Sequence, residues 1–219
     1  MADRTHVYAN PCAILMPMSN GTASTGSSCA RGDLPDGHQH LFAGTATHQN
    51  KLPIGFWPHP AVIAPNNFVF KSLSNWSFNI AVGCGHGCAF CYVPSVATLK
   101  QAERLAVHGV TDPDEQWGQY VLLRTWNEGK FLASLRAAET TPRERLRPDG
   151  NRAVIFCSTT DPYQVFHHPD PLRRKELAEA ARHLVRRSLE LIRNHSTINV
   201  RVLTRSPLAR RDFDLFHSF

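Results

Sequence analysis

A chain of 219 residues, 42% of them apolar, can bury one core of ordinary size, which excludes a disordered chain. Its net charge of +6 suits a phosphate-bearing partner without requiring one. No stretch reaches the ~20 apolar residues a membrane span needs, and residues 1–13 lack a basic-then-apolar leader, so a cytoplasmic protein with reduced cysteines is expected.

In chain order, residues 1–67 read as an irregular, flexible N-terminal segment, and residues 68–219 as the folded domain. Residues 19–51 are rich in Gly, Ser, Thr, Asp and His, with little apolar periodicity. Residues 52–67 carry Pro53, Pro58, Pro60 and Pro65 and are expected to run extended, pinned to the body by Phe56 and Trp57. His6, His38, His40, His48 and His59 have no metal-type spacing and read as surface or loop residues.

From Phe68 the pattern changes. Residues 78–82 predict a short buried strand stopped by Gly83. Residues 96–108 predict a helix with Leu99, Ala102, Leu105 and Ala106 on one face. Residues 120–125 are a strand or an extended lead-in, residues 130–139 a helix, and residues 143–152 a charged turn region. Residues 153–157 form a continuous apolar run, as in strands covered on both faces. Residues 172–193 give the clearest helix, with Leu177, Ala181, Leu184, Val185, Ser188, Leu191 and Ile192 on one stripe. Residues 199–203 predict a third strand and residues 209–219 the start of another helix. Alternating strands and helices argue for an α/β fold with a parallel sheet. The basic face of the long helix (Arg173, Arg174, Lys175, Arg182, Arg186, Arg187, Arg193) fits DNA phosphates, but it fits an ordinary solvated surface better.

The most informative segment is Cys84-Gly-His-Gly-Cys88-Ala-Phe-Cys91-Tyr92. Three thiolates within eight residues are natural ligands for an iron–sulfur cluster, and the glycines let backbone wrap closely around it. Three protein ligands on a four-iron cube leave one iron open for a cofactor or substrate. Two alternatives stand beside this. One is a structural zinc site with His86 or a distant residue as fourth ligand. The other is an electron-transfer cluster completed by Cys12, Cys29 or Cys157. No second Cys pair of the zinc-ribbon kind is present, and His86 reads as a loop residue.

Cys84-x-x-x-Cys88-x-Phe90-Cys91 resembles the CxxxCxΦC signature of the radical S-adenosylmethionine (SAM) superfamily. The following Tyr92 is similar to the Cys-Tyr pair of the spore photoproduct lyase-like branch, which includes DNA repair photolyase-type proteins. Ser158-Thr-Thr-Asp-Pro-Tyr-Gln164 resembles that branch after the second barrel strand. Val202-Leu-Thr-Arg-Ser206, followed by Arg210-Arg-Asp212, resembles its third-strand motif, which usually ends Thr-Lys-Ser. The resemblance covers residues 78–219 and does not extend to residues 1–67.

It implies a partial (β/α) barrel of radical SAM type. It also implies a [4Fe–4S] cluster that reductively cleaves SAM to a 5′-deoxyadenosyl radical, which then abstracts hydrogen in lyase-like chemistry, with DNA or another nucleic acid as the substrate class. An electron donor such as flavodoxin or ferredoxin follows, and no membrane partner. Cys84, Cys88 and Cys91 would be the metal ligands, and Phe90 and Tyr92 would line the adenine side. Ser158, Thr159, Thr160 and Asp161 would meet the SAM amine or ribose, with turn capping an equal alternative. Arg205, with Ser206 beside it, would pair with the SAM carboxylate, and Arg in place of Lys alters that geometry. Tyr92 and Cys157 are the catalytic candidates. Cys157 sits one residue away from the family's hydrogen-donor position, which turns a strand side chain to the other face, so a core role is favoured. Such barrels hold about six units, and three are countable here. The resemblance therefore reads as C-terminally incomplete, with an unpaired third-strand edge, weak cluster binding and little turnover expected.

Overall fold

The computed structural model describes residues 5–9, 53–66, 73–95 and 101–219. They fall within one unit built from Met1–Asn10 and Lys51–Phe219.

Three short apolar strands form the centre: β4 (Trp76–Phe78), β7 (Ala153–Phe156) and β8 (Asn199–Thr204). They lie side by side and parallel, and Phe78, Phe156 and Val202 share one lateral row while Trp76, Val154 and Val200 share another. Both rows are buried in the main core. β1 (Thr5–Ala9) adds in parallel outside β8, and β3 (Ile63–Pro65) adds antiparallel outside β4, completing a five-stranded sheet in the order β1-β8-β7-β4-β3. A second sheet has the order β2-β6-β5, from β2 (Ile54–Pro60), β6 (Val121–Thr125) and β5 (Ala81–Gly83).

Several expectations change here. The strand expected over residues 78–82 is two strands in two sheets, parted at Asn79 and Ile80. Residues 5–9, 54–60 and 63–65 of the segment expected to be irregular are strands. The edge of the third strand expected to be unpaired is covered, because β1 pairs along β8 from Thr5↔Val200 to Ala9↔Thr204. Trp57 is buried and pins its strand, whereas Phe56 is exposed.

α1 (Ala102–Ala106) is short: Leu105 is buried and Ala106 is exposed, while residues 96–100, including Leu99, lie outside the described residues. α2 (Glu128–Glu139) starts at Asn127, whose side chain accepts the Lys130 N–H, and buries Phe131, Leu135 and Ala138. α3 (Pro171–His195) starts at Asp170, whose side chain accepts the Leu172 N–H, with Pro171 at the first helical position. All seven residues of its expected stripe are buried, together with Leu189. The expected C-terminal helix is instead a 3₁₀ turn over Pro207–Asp212 followed by α4 (Phe213–Phe216).

α3 packs its stripe against the rows of β7 and β8, and α2 stands against β3, where Ser134 Oγ accepts the Ile63 N–H at 3.0 Å. A smaller core of Trp57, Val82, Leu105, Val110, Tyr120 and Leu122 backs the second sheet. Both sheets feed one place, the C-terminal ends of β4, β5, β7 and β8. Among the described residues, no helix is long and apolar enough to cross a membrane.

Candidate metal centre

The cysteine loop begins where β5 stops at Gly83. Gly83 has φ +84, and a Cβ there would lie 2.3 Å from the Tyr120 carbonyl oxygen, so no other residue fits. Gly87 and Gly118 pack backbone to backbone, both at positive φ, and a Cβ on Gly118 would come within 2.6 Å of Gly87 Cα. The loop closes on itself through the Cys91 N–H, which donates to the Cys88 carbonyl at 3.0 Å. Cys84 is buried, and Cys88 and Cys91 are half-buried.

Burial pushes the Cys84 thiol up to about 11, with the Asp161 carboxylate and the Cys88 sulfur adding to it. Burial pushes Cys91 up as well, again with help from Cys88. These thiols therefore keep their protons at neutral pH until a metal displaces them.

The second-strand segment reaches the loop from the end of β7. Cys157 leaves the strand at φ +62, a conformation uncommon for a residue with a side chain. It is buried in the main core, its N–H donates to the Phe78 carbonyl at 2.8 Å, and burial raises its thiol far above the usual range. Next, the Ser158 carbonyl accepts the Tyr92 hydroxyl at 2.8 Å, and the Thr159 N–H donates to Asn79 Oδ1 at 3.0 Å. Thr160 Oγ1 donates to the Gly83 carbonyl at 2.7 Å.

The Asp161 carboxylate is buried and fully engaged. It accepts the Tyr163 N–H at 2.7 Å, the Thr204 hydroxyl at 2.9 Å and the Arg205 N–H at 2.9 Å. His86 Nε2 lies 3.4 Å from it, outside hydrogen-bond geometry, and has no hydrogen-bond partner.

The third-strand segment completes the site. Arg205 Nη1 donates to Cys88 Sγ at 2.7 Å, and the same guanidinium stands 5.2 Å over the Phe90 ring, which is 75% exposed. Ser206 Oγ accepts the Leu208 N–H at 3.3 Å and caps the 3₁₀ turn. Beneath, the Tyr163 hydroxyl donates to the fully buried Asp212, which also accepts Arg186 Nη1 at 3.0 Å.

Of the expected site residues, Arg205 meets Cys88 and Phe90, Tyr92 meets Ser158, Thr160 meets the Gly83 carbonyl beside Cys84, and Asp161 holds Arg205, while Cys157 is buried in the core. Asn79, Gln164 and Thr204 also hold the site together; Gln164 and Thr204 fall within the two quoted motifs without a role assigned to them, and nothing in the sequence marked Asn79. The basic face of α3 is largely spent inside the chain: Arg187 on Glu128 and Glu190, Arg186 on Asp212 and Asp214, Arg173 on Glu176 and Lys175 on Glu179.

Among the described residues, no three His, Cys, Asp or Glu side chains converge on one point as ligands of a single ion. In its chemistry the donor set is of the kind iron–sulfur clusters take: three thiols on one loop that also carries Gly83, Gly85 and Gly87. Cys12 and Cys29 lie outside the described residues.

No protein-family model and no solved structure matches the chain. It is similar to Uncharacterized protein ORF301 of Acidianus two-tailed virus, with 29% identity over 167 residues, which cover 74% of this chain and 44% of that protein. The chain therefore spans less than half the length of this relative.

Proposed function

We propose that the chain carries the core of a radical SAM enzyme of lyase-like type, working in the cytoplasm, with its site at the strand ends of a partial (β/α) barrel. Cys84, Cys88 and Cys91 would hold a [4Fe–4S] cluster. Once bound, the cluster and SAM supply reductive C–S cleavage and an organic radical.

One observation carries the reading: three segments far apart in sequence meet, the cysteine loop after β5 and the segments that follow the adjacent parallel strands β7 and β8. Arg205 touches Cys88 across 117 residues, and Tyr92 reaches Ser158 across 66. A zinc-stabilised module needs the loop but not the other two segments.

The chain's own residues then divide the work. Asp161 grips the Thr204 hydroxyl and the Arg205 N–H, so the end of β8 is fixed and the Arg205 guanidinium is delivered over the loop. A planar cation there pairs with the SAM carboxylate. The Phe90 ring is open to a flat base. Tyr92 donates its hydroxyl to the Ser158 carbonyl and so shapes the wall beside the loop. Cys157, buried in the core, belongs to the strand's packing and not to hydrogen return. Cys88 and Cys91 face partly outward, which gives flavodoxin or ferredoxin a short path for an electron. A nucleic acid is the substrate class suggested by the net charge of +6.

A second reading rests on His86, whose Nε2 makes no hydrogen bond and would complete a Cys₃His zinc site on the same loop. Elemental analysis separates the two. About four iron and four acid-labile sulfide per chain supports the cluster. One zinc without sulfide, lost in His86→Ala, would replace the enzyme reading with a zinc module.

A further inference from the structure

Gln164 lies outside the expected set of ligands and cofactor contacts, yet it is almost fully buried, at 5% exposure. Its side chain faces the cysteine loop with both ends in use. Oε1 accepts the Gly85 N–H at 3.0 Å, and Nε2 donates to Thr160 Oγ1 at 3.1 Å. The Thr160 hydroxyl in turn donates to the Gly83 carbonyl at 2.7 Å. One relay therefore grips the backbone on both sides of Cys84. Gly85 is also pressed against this segment, since a Cβ there would lie 2.7 Å from the Val165 carbonyl oxygen.

We infer that Gln164, acting through Thr160, is a positioning residue that fixes the direction of the Cys84 thiolate and so the lifetime and electronic environment of the bound cluster. The inference rests on the cluster-binding reading. The physical reason is the span of the amide. It offers an acceptor and a donor about one peptide apart, matching the Gly85 N–H and the Thr160 hydroxyl. A hydroxyl would have to do both at a single oxygen, and an ionised carboxylate only accepts. An unmade bond here leaves a buried backbone N–H without a partner, which is a costly state. Hydrogen bonds and packing around the ligating sulfurs set cluster properties, so a loosened Cys84 changes them without touching the cluster.

The test uses the full chain, reconstituted anaerobically with iron and sulfide. Cluster loss to a ferrous chelator is followed by visible absorption, with EPR of the reduced protein and circular dichroism of each variant. Gln164→Met and Thr160→Val, both folded, should lose cluster about three- to tenfold faster than wild type, the effect of one hydrogen bond, with an altered EPR line shape. Thr160→Ser keeps the hydroxyl and should restore the wild-type lifetime. Should Gln164→Met fail to fold, the Thr160 pair decides alone. Wild-type lifetime and line shape in Gln164→Met or Thr160→Val overturns the inference while leaving the cluster reading intact. Failure of wild type itself to load cluster overturns the cluster reading, and the inference with it.

Discussion

Single atoms decide much at this site. Gly118 has φ +88 and Gly87 has φ +51, and their backbones touch directly beside Cys88. A methyl group on Gly118 meets both strain and backbone, so we predict that Gly118→Ala costs about 1–3 kcal/mol in denaturant unfolding and lowers iron loading. Arg205 is set apart from the usual lysine by its planar fork, which bridges Cys88 and Phe90. We predict that Arg205→Ala weakens SAM binding to the reconstituted chain about tenfold or more, and that Arg205→Lys recovers only part of it, as read by calorimetric titration. Asp212 is buried and accepts from Tyr163 and Arg186. Asp212→Asn should destabilise by about 1–3 kcal/mol with the loop chemistry untouched, which thermal unfolding would register.

At the scale of elements, the ends of α2 are tied to neighbours by carboxylates. Burial alone would raise the Glu139 carboxyl, but hydrogen bonds from Thr197 and the Arg152 guanidinium outweigh it and hold it below its usual value. The hydrogen-bonded Arg187 guanidinium does the same for Glu128. A carboxyl depressed on folding contributes stability above its unfolded value, near 4.5, and loses it as pH falls through the depressed folded value. We therefore predict that the unfolding midpoint drops with pH in the acid range below about 4.5, and that Glu139→Gln flattens this slope. α3 depends on its apolar stripe, and Leu184→Ala should cost about 2–5 kcal/mol.

The same elements explain what the sequence disclosed. α3 was legible because seven apolar or small residues recur at helical spacing, and β7 because four residues in succession need cover on both faces. β2 and β3 were not, because Pro58, Pro60 and Pro65 resemble punctuation; both strands are edges of their sheets, where a missing N–H is tolerated. The split of residues 78–82 was hidden because both halves are apolar, and only the Asn79 side chain, bonded to Thr159 and Ser158, marks the bend. The three cysteines were legible from spacing alone. Gln164 ended a quoted motif, but its role was not legible, because that role comes from a fold that brings residue 164 beside residue 85.

Across the whole molecule, stability and chemistry occupy different ends of the strands. α2 and α3 bury the row of Phe78, Phe156 and Val202 on one face, and the second and third motif segments follow β7 and β8 while the cysteine loop follows β5. A rigid sheet carrying mobile-ligand chemistry at its strand ends is an arrangement that lets loops bind while the core bears the load of folding. The central claim is that Cys84, Cys88 and Cys91 hold a cluster with one iron open to SAM. Its most direct test is low-temperature EPR of the anaerobically reconstituted, reduced chain with and without SAM. We predict a [4Fe–4S]⁺ signal that changes on adding SAM and is absent when any of the three cysteines is replaced by alanine. A signal indifferent to SAM, or no cluster at all, would contradict the claim.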